Sequence, residues 1–291
     1  MEYFIKNDRI SATFSSVGGE LLSLKNANGL EYLWQGDEKY WHGRSPILFP
    51  YCCRLFGGYY THKGQKFSGN LHGFIRHLDF SNVEVANDFI IFKKSADEET
   101  KLLYPFDFTF ELKYTLRGSS LICDITVKNE GSEDLFYCQG MHPGFNVPLD
   151  RGNFDDWFIE FADKAAPRRI IFSESKFCKG DCDFSPALKD GKKLPLSHSL
   201  FDDEAIFLTE ACRSLEIKSD VSEHSVTVDY PNAEAVGFWH PEFTDAPFVC
   251  VEPLGGIPSF DGVVDEISEK AFARRVIPGK SHTDTVTITL K

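Results

Sequence analysis

A two-residue rhythm narrows the possible folds more than anything else in the chain. Phe108, Phe110, Leu112, Tyr114 and Leu116 alternate with more polar residues, the pattern breaks at Arg117-Gly118-Ser119-Ser120, and alternation resumes at Leu121, Cys123, Ile125 and Val127. Successive side chains of an extended strand point to opposite faces. This spacing therefore predicts two long strands, each with one buried face, joined as an antiparallel hairpin. Shorter versions recur at Val83 to Phe92 around Asn87-Asp88, at Val226, Val228 and Tyr230, and at Val286, Ile288 and Leu290. No segment carries a sustained helical period, and the best candidate, Asp265 to Arg274, predicts a turn or two at most. Strand signals from end to end, with Gly and Pro spread through the connections, predict an all-β chain, either sandwich or barrel.

At 291 residues with 42% hydrophobic content the chain has material for one large β core. No internal repeat, low-complexity tract or Pro/Gly/Ser linker divides it, so residues 1–291 are expected to form a single domain. The 27 Phe, 10 Tyr and 4 Trp suit pleated surfaces or the apolar faces of sugar rings, and their number alone does not choose between the two uses. A net charge of −13 repels phosphate backbones and anionic leaflets, which excludes nucleic acid and membrane surfaces as main partners. The opening Met-Glu-Tyr-Phe-Ile-Lys-Asn-Asp-Arg lacks a basic n-region followed by an apolar h-region, and no apolar run is long enough to span a bilayer, so a cytoplasmic location is expected. In that setting the eight Cys are expected to be reduced thiols, mostly buried.

Neither a dinucleotide-binding nor a P-loop glycine motif is present. Gly43-Arg44-Ser45-Pro46-Ile47 begins like a hydrolase elbow but lacks its closing Gly, and Cys178 with Cys182 has no second metal-ligand pair of suitable spacing nearby. No metal or cofactor is implied. Two places deliver polar side chains to the ends of apolar stretches. Leu135 to Cys138 leads into Gln139-Gly140-Met141-His142-Pro143-Gly144, presenting an imidazole at a Gly- and Pro-rich break. Phe248 to Val251 ends in Glu252-Pro253-Leu254-Gly255-Gly256, where a carboxylate needs water, a partner or a task. Taken singly, a backbone-bonded histidine and a solvated glutamate explain both. A third segment, from Arg44 to Arg76, holds Arg44, Arg54, His72 and Arg76; their guanidinium forks suit hydroxyl and ring oxygens, and equally suit surface ion pairs.

In order along nearly the whole chain, these segments resemble the aldose 1-epimerase (galactose mutarotase) family, and more closely its LacX-like bacterial branch. Arg54-Leu55-Phe56-Gly57-Gly58-Tyr59-Tyr60 with Gly64 is similar to the segment carrying the family's substrate-binding arginine, and Leu71-His72-Gly73 to its Leu-His-Gly. Met141-His142-Pro143-Gly144-Phe145-Asn146 resembles the segment whose histidine is the general acid, Cys250-Val251-Glu252-Pro253 the one whose glutamate is the general base, and Phe201-Asp202 a Tyr-Asp pair that holds sugar hydroxyls. The resemblance implies a large antiparallel β-sandwich and an isomerase that interconverts the anomers of an aldose such as galactose. His142 and Glu252 would be catalytic, Arg54, His72 and Asp202 would bind substrate, and no cofactor would be needed. A small-molecule sugar is the implied partner, and the protein is expected as a monomer or homodimer. Cys53, Met141 and Asp203 depart from the family pattern. Arg44 with its Pro-containing apolar run, and His72-Gly73-Phe74-Ile75-Arg76, resemble segments of the related hexose-6-phosphate mutarotases, in which an arginine pair would hold a phosphate. Competing expectations are a glycosidase using Glu252 with Asp202, and a carbohydrate-binding sandwich without turnover.

Overall fold

In a computed structural model covering residues 1–291, the long alternating segment forms the expected hairpin. Strand Phe108–Arg117 pairs with Ser120–Asn129 in unbroken antiparallel register, from Arg117 opposite Ser120 to Phe108 opposite Asn129. Burial alternates along both strands, and Gly118 takes the positive φ of 59° that the tight turn requires. The hairpin lies within a nine-stranded antiparallel sheet. Its order is Lys193–Pro195, Trp157–Phe161, Ser214–Ser219, Val226–Asp229, Ser281–Leu290, Ser120–Asn129, Phe108–Arg117, Phe89–Ser95 and Asn82–Val85.

An eight-stranded sheet faces it. Seven strands follow in the order Cys178–Asp183, Arg168–Phe172, Ile206–Thr209, Ala235–Trp239, Phe248–Leu254, Gly140–Met141 and Ile47–Leu48, and Gly144–Asn146 also pairs with Phe248–Leu254. Aromatic pairs stitch the two layers together, with ring centroids 5.0 Å apart for Phe49 and Phe110 and 6.2 Å for Phe161 and Phe238. The architecture is thus a large antiparallel β-sandwich rather than a barrel. No helix is long and apolar enough to cross a membrane.

The helical expectation for Asp265 to Arg274 fails. That stretch forms turns and then enters strand Arg274–Val276, because its backbone is tied to the distant Thr61 and its side chains pair among themselves. Asp265 accepts a hydrogen bond from Lys270 Nζ at 2.9 Å, and its carbonyl accepts from Thr61 N at 2.8 Å. The α-helix that does form, Glu98–Leu103, is one turn and a half held by an Asp97 and Thr100 capping box, too short for a periodic signal.

Strand Phe248–Leu254 is buried on both faces. Val249 and Val251 enter the core between the sheets, whereas Cys250 and Leu254 pack into smaller clusters on the opposite face. By the same alternation Glu252 points away from the sandwich interior. Loops roof that outer face.

Candidate active site

Glu252 and His142 are 110 residues apart in sequence but neighbours across one ladder. Gly140 pairs with Leu254 and Gly144 with Cys250, and that shared register sets His142 opposite Glu252. Pro143 interrupts the strand because it lacks an N–H, yet its carbonyl still accepts from Val251 N at 3.0 Å and holds the two segments together. On the other side of Glu252 the ladder partner is Gly237, where a Cβ would lie 2.5 Å from the Phe207 ring and 3.2 Å from Glu252 Cβ. Glycine there leaves space for the carboxylate.

His142 Nε2 lies 3.2 Å from Glu252 Oε1, and both side chains are almost wholly buried, 9% and 2% exposed. They open onto a cavity of about 340 Å³, within the range of small-molecule sites. Burial pushes the Glu252 carboxyl up to about 8 and the His142 imidazole down to about 3. Nδ1 of His142 is buried without a hydrogen-bond partner, which further disfavours an imidazolium needing two acceptors. Loss of hydration of the charged form is the cause for Glu252 and the largest cause for His142, whose imidazolium the Arg76 charge also opposes. Between those limits the pair holds one proton, on Glu252, with a neutral imidazole nitrogen 3.2 Å away, an arrangement that sets a proton donor beside an acceptor.

Arg54, His72 and Arg76 also line the cavity. A strained link positions the first two. His72 (φ 65°) and Cys53 (φ 63°) both have left-handed backbone, Cys53 N donates to His72 Nδ1 at 3.1 Å, and His72 N donates to Cys53 O at 3.1 Å. With Nδ1 accepting, the neutral His72 ring carries its proton on Nε2 and can only donate there. Burial holds its pKa well below the ordinary value, which keeps it neutral. Arg54 is fixed through its carbonyl, which accepts from Ser259 N at 3.0 Å.

Two anticipated residues stay outside the lining. Arg44 directs Nη1 to Leu22 O at 2.9 Å, and its amide donates to Glu20 Oε1 at 2.9 Å, so it ties its own segment to strand Leu21–Asn26 and the residue before it. Asp202 caps a short 3-10 turn and accepts from Phe243 N at 2.9 Å. Residues that the sequence reading missed take their place. Trp41 packs beside His142 with centroids 5.1 Å apart and meets Trp239 edge-on at 5.5 Å, giving the cavity an apolar corner. Lys176 and Glu204 contribute charge to the wall. The high aromatic content hinted at such a corner, but nothing in the order of residues brings Trp41 to Trp239.

The sequence profile of the aldose 1-epimerase family matches residues 1–289. The chain belongs to the aldose 1-epimerase family. Among relatives of this family member is the plasmid-encoded protein LacX of Lactococcus lactis subsp. lactis, 31% identical over 295 residues and aligned over 98% of both chains. Two solved structures share its fold over the whole of this chain. One is a galactose mutarotase related enzyme from Lactobacillus acidophilus, with TM-score 0.92, 29% identity and 97% of that chain covered. The other is a galactose mutarotase-like protein from Lactobacillus casei, with TM-score 0.93, 28% identity and 100% covered. Family and architecture both point to an enzyme of the isomerase class acting on a small sugar.

Proposed function

We propose that this member of the family is a mutarotase that interconverts the α and β anomers of a hexose, with Glu252 as base and His142 as acid. The direct contact between imidazole and carboxyl, both opening onto one cavity, carries the reading. The resting pair holds its proton on Glu252, and the working form is the minor state in which that proton has passed to His142 Nε2. A Glu252 oxygen takes the proton of the anomeric hydroxyl, C1–O1 becomes a carbonyl, and the C1–O5 bond breaks with its electron pair moving to O5. His142 Nε2 protonates O5, and the open aldehyde is free to rotate about C1–C2. Reclosure runs the same transfers backwards on the other face of the carbonyl, so the dyad regenerates itself and consumes nothing. O1 and O5 share one carbon, which suits an acid and a base that sit side by side. His72 and Arg54 would orient the ring, and Trp41 with Trp239 would cover its apolar face.

Replacing Glu252 by Gln should leave the fold intact and lower the rate by roughly 10²–10⁴-fold, followed by polarimetry on freshly dissolved α-glucose or α-galactose. An unchanged rate would reject the assignment.

A second reading, a hexose-6-phosphate mutarotase, has its own support. Arg54 and Arg76 face the cavity, and neither is among the arginines held in ion pairs, which are Arg151, Arg168, Arg213, Arg274 and Arg275. Arg76 is partly desolvated, and its burial lowers its pKa, a cost that an anionic substituent would offset. If a phosphate is recognised, glucose 6-phosphate should be preferred to glucose and Arg76→Ala should abolish mainly that preference. Equal turnover of both sugars would leave the neutral hexose as substrate.

A further inference from the structure

The dyad does not use the cavity's other polar pole, Glu204 and Lys176. Glu204 stands just before strand Ile206–Thr209 with φ 127°, a conformation that non-glycine residues rarely hold without a functional or structural reason. Its side chain is 14% exposed, and its Oε2 is fully buried with no hydrogen bond. Lys176 Nζ lies 2.9 Å from that oxygen, close in charge but without hydrogen-bond geometry. Lys176, itself in left-handed backbone (φ 64°), sits in the hairpin turn after strand Arg168–Phe172 and also pairs with Glu242. Oε2 is thus sealed against the ammonium, and the carboxylate, neutralised in charge on the cavity wall, is left with its other oxygen, Oε1, to accept from a neutral donor. Sugar hydroxyls are such donors, and the adjacent ammonium can donate in turn to a neighbouring hydroxyl oxygen.

We infer that Glu204, with Lys176 beside it, is the specificity-determining group that reads a vicinal pair of ring hydroxyls on the bound sugar. Glu204 lines the cavity, whereas Asp202, the acidic residue that the family resemblance implied for sugar hydroxyls, does not, and its Oδ1 accepts from Phe243 N. The inference builds on the mutarotase reading for its ligand, but the recognition itself requires only that a sugar binds.

The test uses the full-length protein with Glu204→Gln, and Glu242→Gln as the comparison that breaks the outer ion pair without touching the cavity wall. The probes are glucose, galactose and their monodeoxy analogues, with turnover followed by polarimetry and affinity by calorimetry. Expected is a rise of about 10-fold or more in KM and Kd for Glu204→Gln on the better hexose, with kcat within about 3-fold. One or two monodeoxy analogues should bind wild type weakly and be indifferent to the substitution, which names the hydroxyls read. Glu242→Gln should leave KM within about 2-fold. Equal losses on every analogue, an unmoved Kd, or a matching loss in Glu242→Gln would overturn the inference, as would a wild type that binds none of these sugars. Weakened binding by Glu204→Gln in a protein that turns nothing over would sink the mutarotase reading and leave this one standing. Turnover in wild type with Glu204→Gln indifferent to every hydroxyl would do the reverse.

Discussion

At the scale of single residues the proposed chemistry depends on a proton count. With the carboxyl pushed up to about 8 and the imidazole down to about 3, the dyad holds one proton through the neutral range and loses it in mild alkali. A catalyst needing one proton between two groups should therefore show kcat/KM falling tenfold per pH unit above about 8, while remaining level from pH 5 to 7. Rates measured across that range in constant ionic strength check this, and a profile that stays flat to pH 9 would reject the shared-proton scheme. His142 and Glu252 stood out near the ends of apolar runs, but what made them candidates was the resemblance of their segments to the family's motifs, since either residue alone has a bland explanation. Glu204 did not stand out, since one acidic residue in Asp202-Asp203-Glu204 looks like another until the backbone twist at that point selects which carboxylate enters the cavity.

Among the elements, one glycine shows how the site is held. Gly73, with φ 75°, follows His72, and a Cβ there would lie 2.1 Å from Phe49 O and 2.5 Å from its carbonyl carbon. Backbone cannot yield as a side-chain tip can. Gly73→Ala should cost roughly 2–4 kcal/mol in urea unfolding and displace His72, lowering activity alongside stability. Gly118, in the turn of the long hairpin, has φ 59° but open space where its Cβ would be. Gly118→Ala should cost only about 1 kcal/mol and leave turnover untouched. Equal costs for the two would show that conformation rather than crowding dominates at Gly73. The hairpin itself was readable from periodicity, whereas the short strands Gly140–Met141 and Gly144–Asn146 were not. Two or three residues carry no measurable rhythm.

For the whole molecule, the same buried dyad couples folding to pH. Glu252, raised in the folded state, stabilises below about 4.5 and loses that contribution as pH rises through about 8. His142, lowered in the folded state, contributes above its ordinary 6.5 and loses this as pH falls through about 3. From pH 4.5 to 6.5 the folded and unfolded pair each hold one proton and the two slopes cancel. Above 6.5 the unfolded pair empties while the folded pair keeps its proton, so stability should fall by about 1 kcal/mol between pH 6.5 and 8. Denaturant titrations at these two pH values should show that loss in wild type and its disappearance in Glu252→Gln. A parallel decline in both proteins would trace the effect to other groups.

The order of residues by itself determined the all-β class and the long hairpin, because strand alternation is local and repeats every second residue. It also supplied the family likeness, since short motifs survive in sequence where they close around a common chemistry. Only the tertiary structure decided what lines the cavity. Register between segments a hundred residues apart put His142 against Glu252, while loop packing behind the sheet turned Arg44 and Asp202 away and brought Trp41, Trp239 and Glu204 in. Such choices are made by contacts between parts of the chain with no fixed spacing, so no pattern along the polypeptide can record them.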